Sequence, residues 1–172
     1  MGTTKHISTL LLAAAAVFAG PAHAGFSTYF GEDLNNSETT PLKSTPNSDA
    51  ARSSFLSKLI NAGTETFESK TVGVKAPLTL TLPGASGDVT ATLNGVGSVQ
   101  TMPADENLRR GRYSVPSATT FNFWEAEAGV GGAQSSFTVT FGQDTAAFGF
   151  YGVDIGDFGG QLALLLLNNG VK

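Results

Sequence analysis

Asp154 and Asp157 stand three residues apart in a segment broken by Gly152, Gly156, Gly159 and Gly160. Glycines permit tight turns and close backbone approach. Carboxylates and carbonyl oxygens can therefore converge there on a hard cation such as calcium, which takes about six to eight oxygens. Glu68 is a more distant third ligand for the same ion. The spacing is not that of an EF-hand loop, and a polar connection whose Asp side chains accept turn N–H bonds would use the same residues. Glu65 shares a strand face with Phe67, while Glu68 lies on the opposite one.

A second cluster joins Phe121, Phe123 and Trp124 to Glu125 and Glu127. Strand alternation sets Trp124 opposite the two phenylalanines. With those in the core, Trp124 is expected to be exposed or on a groove, where an indole can stack on the apolar face of a sugar ring. The other reading is a Trp covered by a neighbouring loop. Tyr151 and Tyr113 are further ligand-binding candidates of the same kind. Glu125 and Glu127 share a face about 7 Å apart, at roughly 3.3 Å per residue. Paired glycosidase carboxylates stand about 5 to 9.5 Å apart. Arg109, Arg110 and Arg112 lie beside Asp105 and Glu106, a pattern that fits local ion pairs on a solvated loop.

What the chain lacks narrows the chemistry. It has no Cys, and its two His residues, His6 and His23, both fall in residues 1–24. Those residues read as a secretory signal peptide. Lys5 and His6 give a polar start, and residues 10–19 form an apolar run. Gly20 and Pro21 break it, and Ala22-His23-Ala24 offers small residues to a signal peptidase. The run falls short of the roughly 20 residues that span a bilayer. Cleavage after Ala24 leaves 148 of the 172 residues, without His or Cys. That removes Ser-His-Asp and Cys-His catalysis, the usual zinc and copper sites, and disulfides. It also leaves nine basic against fourteen acidic residues, a net charge of −5. Such a balance argues against nucleic acid or an anionic membrane as partner.

The elements that must position these residues follow from periodicity. Residues 25–46 read as a short edge strand and loop. Residues 48–62 read as the one helix, capped by Asn47 or Ser48 and ended by Gly63. Its apolar stripe is Ala51, Phe55 and Leu59, flanked by Leu56 and Ile60. Beyond Gly63 the period becomes two. Residues 64–69 are a strand candidate with Phe67 inward. Leu78, Leu80 and Leu82 alternate with threonine, as do Val89, Ala91 and Leu93, and Phe137, Val139 and Phe141. Asn94-Gly95 is a strong hairpin signal, with 96–101 as the returning strand. Residues 119–125, 146–153 and 161–167 complete the series. Short strands split by Gly and Pro favour a mainly β fold, an antiparallel β-sandwich of jelly-roll type over residues 47–172 with one short leading helix. Residues 162–167 are apolar on both faces and call for cover on both sides, so the fold is expected to be incomplete at its C-terminus.

Four segments carry a resemblance. They are Phe26-Ser27-Thr28-Tyr29-Phe30-Gly31-Glu32-Asp33-Leu34-Asn35, Pro46-Asn47-Ser48-Asp49-Ala50-Ala51, Thr64-Glu65-Thr66-Phe67-Glu68-Ser69, and residues 147–158, AFGFYGVDIGDF. With them the chain resembles exported bacterial proteins of the PEP-CTERM, exosortase-associated type. The resemblance implies a β-sandwich module carried to the cell surface or matrix. It also implies further strands and a C-terminal sorting tail of Pro-Glu-Pro, apolar span and basic end. The sequence stops at Lys172 before any of these.

The leading expectation is an exported, non-enzymatic β-sandwich module, periplasmic, extracellular or on the cell surface, with polysaccharide or other surface components as partner. The alternatives are a glycoside hydrolase using Glu125 and Glu127, a calcium-stabilised structural module, and a truncated family member without activity of its own.

Overall fold

The computed structural model describes residues 27–34, 37, 40, 42–105, 108–109, 111–113, 115, 121–126 and 136–155. Within them the chain is mainly β, with two antiparallel sheets and one short helix. Helix α1 spans Pro46–Leu56, strand β1 Leu78–Leu82, β2 Val89–Gly95, β3 Ser98–Thr101, β4 Asn122–Glu125 and β5 Phe137–Phe141. The first sheet runs in the order β1-β2-β5 and the second pairs β3 with β4.

The three strands of the first sheet are those whose sequences alternate most strictly. Leu80 faces Ala91 across the β1–β2 ladder, and Leu93 faces Val139 across β2–β5. Leu80, Ala91 and Leu93 are buried together, with Phe67, Leu78, Leu82, Val139 and Phe141 packed around them. Threonines fill the opposite face. A slip of one residue would exchange the two sets, so burial of the leucine face fixes the register.

The second sheet does not grow from the expected hairpin. Asn94 remains in the ladder opposite Thr138, and Gly95 opposite Phe137. A type I′ turn would need positive φ at both Asn94 and Gly95. Only Gly95 has it, at 99°, followed by Gly97 at 148°. The Asn94 amide donates to the Thr92 carbonyl at 3.2 Å and to the Thr140 hydroxyl at 3.4 Å, which holds it as a strand residue. The chain therefore turns a corner at Gly95–Gly97 and enters the other sheet. There Val99 lies opposite Trp124, and residues 73–76 run along the free side of β3. Their bonds are Gly73 N–H to Val99 C=O and Val99 N–H to Val74 C=O, both 2.8 Å.

Other elements depart from periodicity for local reasons. Residues 64–69 form a turn rather than a strand. The Glu65 carboxylate accepts the Phe67 N–H at 2.7 Å and pairs with Lys70 at 3.3 Å, and Phe67 takes φ +64°. Phe67 still reaches the core, as expected, but from the turn. Helix α1 ends at Leu56 instead of Ala62. The next bonds are shorter-range ones, Lys58 N–H to Phe55 C=O and Leu59 N–H to Leu56 C=O, each 3.1 Å. Asn61 supplies the left-handed residue at φ +56°, and Gly63 lies against Pro83. No strand occurs over 27–34 or 142–155. Residues 161–167 lie outside the described set.

The buried apolar side chains among the described residues are Leu80, Ala91, Leu93, Val99 and Met102. With so few, each carries a large share of the stability. Leu80→Ala is expected to cost about 2–4 kcal/mol through lost burial and the cavity left behind. Ala91→Leu is expected to cost about 1–3 kcal/mol by overfilling the same site. Urea denaturation of both variants against the parent checks this pair of values.

Candidate functional site

Trp124 sits on the core side of β4. Its indole packs against the Leu80–Ala91–Leu93 cluster and lies 6.5 Å, ring to ring, from Phe137. A Cβ added to Gly97 would come to 2.5 Å of the indole. Phe121, placed inward by alternation, is instead exposed. Phe123 and Trp124 are both half-buried, and Trp124, packed on the core, is not an open platform for a sugar ring. Its register partner Val99 has no exposure at all, so the two side chains share a covered face.

The hydroxyls of the two tyrosines differ in their surroundings. The Tyr113 hydroxyl donates to the Ser37 carbonyl, with the Thr40 carbonyl at 3.2 Å. The Tyr151 hydroxyl is buried and, like the indole Nε1 of Trp124, has no hydrogen-bond partner among the described residues. Burial pushes the Tyr151 phenol above its ordinary pKa. Arg52 of α1 opposes that shift and Asp49 adds to it.

The carboxylates are mostly engaged. Glu68 accepts the Phe121 N–H at 2.6 Å and the Asn122 N–H at 2.7 Å, and Asn122 in turn donates to the Phe67 carbonyl at 3.2 Å. Glu68 thus brackets the start of β4 to the 65–70 turn. Glu125 is ion-paired with Arg112, so that arginine reaches across to β4 rather than to the acidic residues of its own loop. Asp154, at φ +62°, lies over Gly111. Asp157 and Glu127 lie outside the described residues. Among the described residues no three His, Cys, Asp or Glu side chains gather closely enough to hold a metal ion.

Two further surfaces stand out among the described residues. The first is a shallow groove lined by Thr28, Tyr29, Phe30, Asn47, Ala51 and Ser54, together with Ala50. The Phe30 ring is 85% exposed beside it, while Tyr29 packs 6.0 Å from Phe55. Asp33 fixes this arrangement. Its carboxylate accepts the Asn47 N–H at 3.1 Å and the Ser48 N–H at 2.9 Å, two of the orphan donors at the start of α1. Asn47 and Ser48 return bonds to the carbonyls of Glu32 (2.9 Å) and Gly31 (3.2 Å). No local signal could reveal Asp33, because it caps a helix some fourteen residues further on.

The second surface is the threonine face of the first sheet. Thr79, Thr92 and Thr140 form one row across β1, β2 and β5; Thr81 with Thr90, and Asn94 with Thr138, form the rows on either side. The hydroxyls of Thr79 and Thr92 are 3.1 Å apart and bonded to each other.

No family model matches this chain, and neither does any curated protein or solved structure. No helix among the described residues is long and apolar enough to cross a membrane.

Two measurements follow. Removing the Glu68 carboxylate leaves two backbone donors without their acceptor, so Glu68→Ala is expected to lower stability by about 1 kcal/mol. Amide exchange should quicken at Phe121 and Asn122 in that variant. At Asp33, burial raises the carboxyl pKa, but the bonds from Ser48 and Asn47 outweigh it and hold the group below its ordinary value. A lowered carboxylate pKa stabilises fully above the ordinary value and is lost as pH falls through the lowered one. Protection of the Asn47 and Ser48 amides, taken relative to intrinsic exchange, should therefore fall in that acid window. In Asp33→Ala it should already be low at neutral pH and show no such step.

Proposed function

We propose that the protein is a secreted, non-enzymatic module of the PEP-CTERM-like kind that attaches to cell-surface or matrix polysaccharide, its two sheets forming the layers of a β-sandwich. The observation that carries this reading is the groove on α1. An exposed ring, Phe30, stands beside hydroxyl and amide groups, and among the described residues no charged one lines the groove. Aromatic faces that meet the C–H faces of a sugar, next to neutral hydrogen-bonding groups, are what a neutral polysaccharide requires. The groove takes the place of Trp124, which is committed to the core.

The packing of Trp124 against the first sheet supports the sandwich. Glu125, one of the two carboxylates of the glycosidase alternative, is ion-paired with Arg112. Attachment needs neither proton transfer nor a nucleophile, which suits a chain whose residues 25–172 hold no His or Cys.

Co-sedimentation with insoluble cellulose, chitin and agarose tests the reading. The parent protein is expected to sediment with at least one of them. Phe30→Ala should bind several-fold more weakly with an unchanged melting temperature, since an exposed ring contributes little to folding. A folded parent that stays in the supernatant with all three polymers would end the proposal.

A further inference from the structure

We propose that the threonine face of β1, β2 and β5 is a second binding surface, and that its partner is a neutral polysaccharide lying on the sheet as an extended, ordered chain. The identity of the polymer class rests on the reading above. The surface itself rests on separate observations.

Outward threonine is common on strands, because a β-branched side chain suits the pleat. Here the pattern is stricter than strand preference requires. Each strand supplies a Thr-x-Thr pair, 79/81, 90/92 and 138/140; the first two pairs face each other, and the third is shifted by two residues, so that Thr140 meets Thr92 and Thr138 meets Asn94. Asn94 is the other outward residue within the ladder, so no charged side chain stands on this face of the three strands. An ordinary solvated face draws about a quarter to a third of its residues from Lys, Arg, Asp and Glu. Exposed edge strands in particular are usually guarded by charge.

The chemistry of the face selects its partner. Each hydroxyl offers one donor and two acceptor lone pairs, so the array fits a partner that carries both kinds of group. The absence of charge gives it nothing with which to hold phosphate, an acidic polymer or a basic peptide. The absence of aromatic and long apolar side chains sets it apart from the core of a protein–protein interface. A neutral sugar chain, dense in hydroxyls, matches. The face is also stiff. Threonine has few χ1 states, and the Thr79–Thr92 and Asn94–Thr140 bonds fix the central row. Hydroxyls repeat about 4.8 Å apart across strands and about 6.7 Å apart along them. Rigid spacing lowers the ordering cost of binding, and it favours an ordered polymer over a flexible one.

The test uses the same polysaccharides with two triple variants of the full chain. Thr79→Val/Thr92→Val/Thr140→Val keeps shape and strand preference but removes the central hydroxyls. Thr79→Ser/Thr92→Ser/Thr140→Ser keeps the hydroxyls. With circular dichroism and melting temperature near those of the parent, the valine variant is expected to bind about tenfold more weakly or worse, and the serine variant close to the parent. A folded valine variant that binds like the parent overturns the assignment. If Phe30→Ala weakens binding in the same assay, the groove reading stands without it. A parent that binds none of the polymers overturns both. A parent that binds none yet reshapes growing ice crystals overturns this assignment in favour of ordered water on the same face.

Discussion

The contact between Trp124 and Gly97 is the constraint on which the two sheets depend. The chain has one Trp, and it is the residue of β3 and β4 that packs on the Leu80–Ala91–Leu93 cluster. The indole can lie there only because Gly97 has no side chain and takes φ +148°, which L-residues avoid. The same glycine belongs to the corner at which the chain leaves β2 for β3. One position therefore supplies both the change of sheet and the space that lets the sheets meet. Among the described residues the core is small, and the residue that bridges the two sheets is engaged in packing it.

From this follows the division of the surface. Inward placement of Val99 and Trp124 sets the facing of the second sheet, and inward placement of the leucines sets that of the first. The threonine face is the complement of the leucine face, generated by the same alternation. At the other end, the Asp33 carboxylate ties residues 27–34 to the start of α1, and that tie shapes the groove beside Phe30. Both candidate surfaces are thus by-products of contacts that hold the fold, which makes them rigid.

The regular part of this structure could be read from residues alone. Strands β1, β2 and β5 alternate over their whole length, and nothing local competes with that pattern. The first part of helix α1 was legible in Ala51 and Phe55, but the helix stops six residues short of the expected end and leaves Leu59 and Ile60 outside it, where the backbone tightens before Asn61. The misreadings share one cause, in that long-range partners override local preference. Asn94-Gly95 has the composition of a hairpin, but β5 arrives beside β2 and keeps Asn94 extended. Trp124 was placed by alternation from Phe121, yet Phe121 lies outside β4 and its backbone is held by Glu68. Glu68 looked like a metal ligand because carboxylate spacing does not reveal which backbone N–H groups will be near. For Tyr113 and Tyr151, the bonds of the first to Ser37 and Thr40 and the burial of the second's hydroxyl could not be inferred from their neighbours in sequence.

The central claim, that Trp124 belongs to the core and the neutral surfaces to the ligand, is tested most directly by the fluorescence of this single indole. The account predicts blue-shifted emission, weak quenching by iodide, and no change in either when a soluble neutral glucan is added. Emission like that of free indole, readily quenched by iodide and shielded by the glucan, would contradict it and return Trp124 to the binding surface.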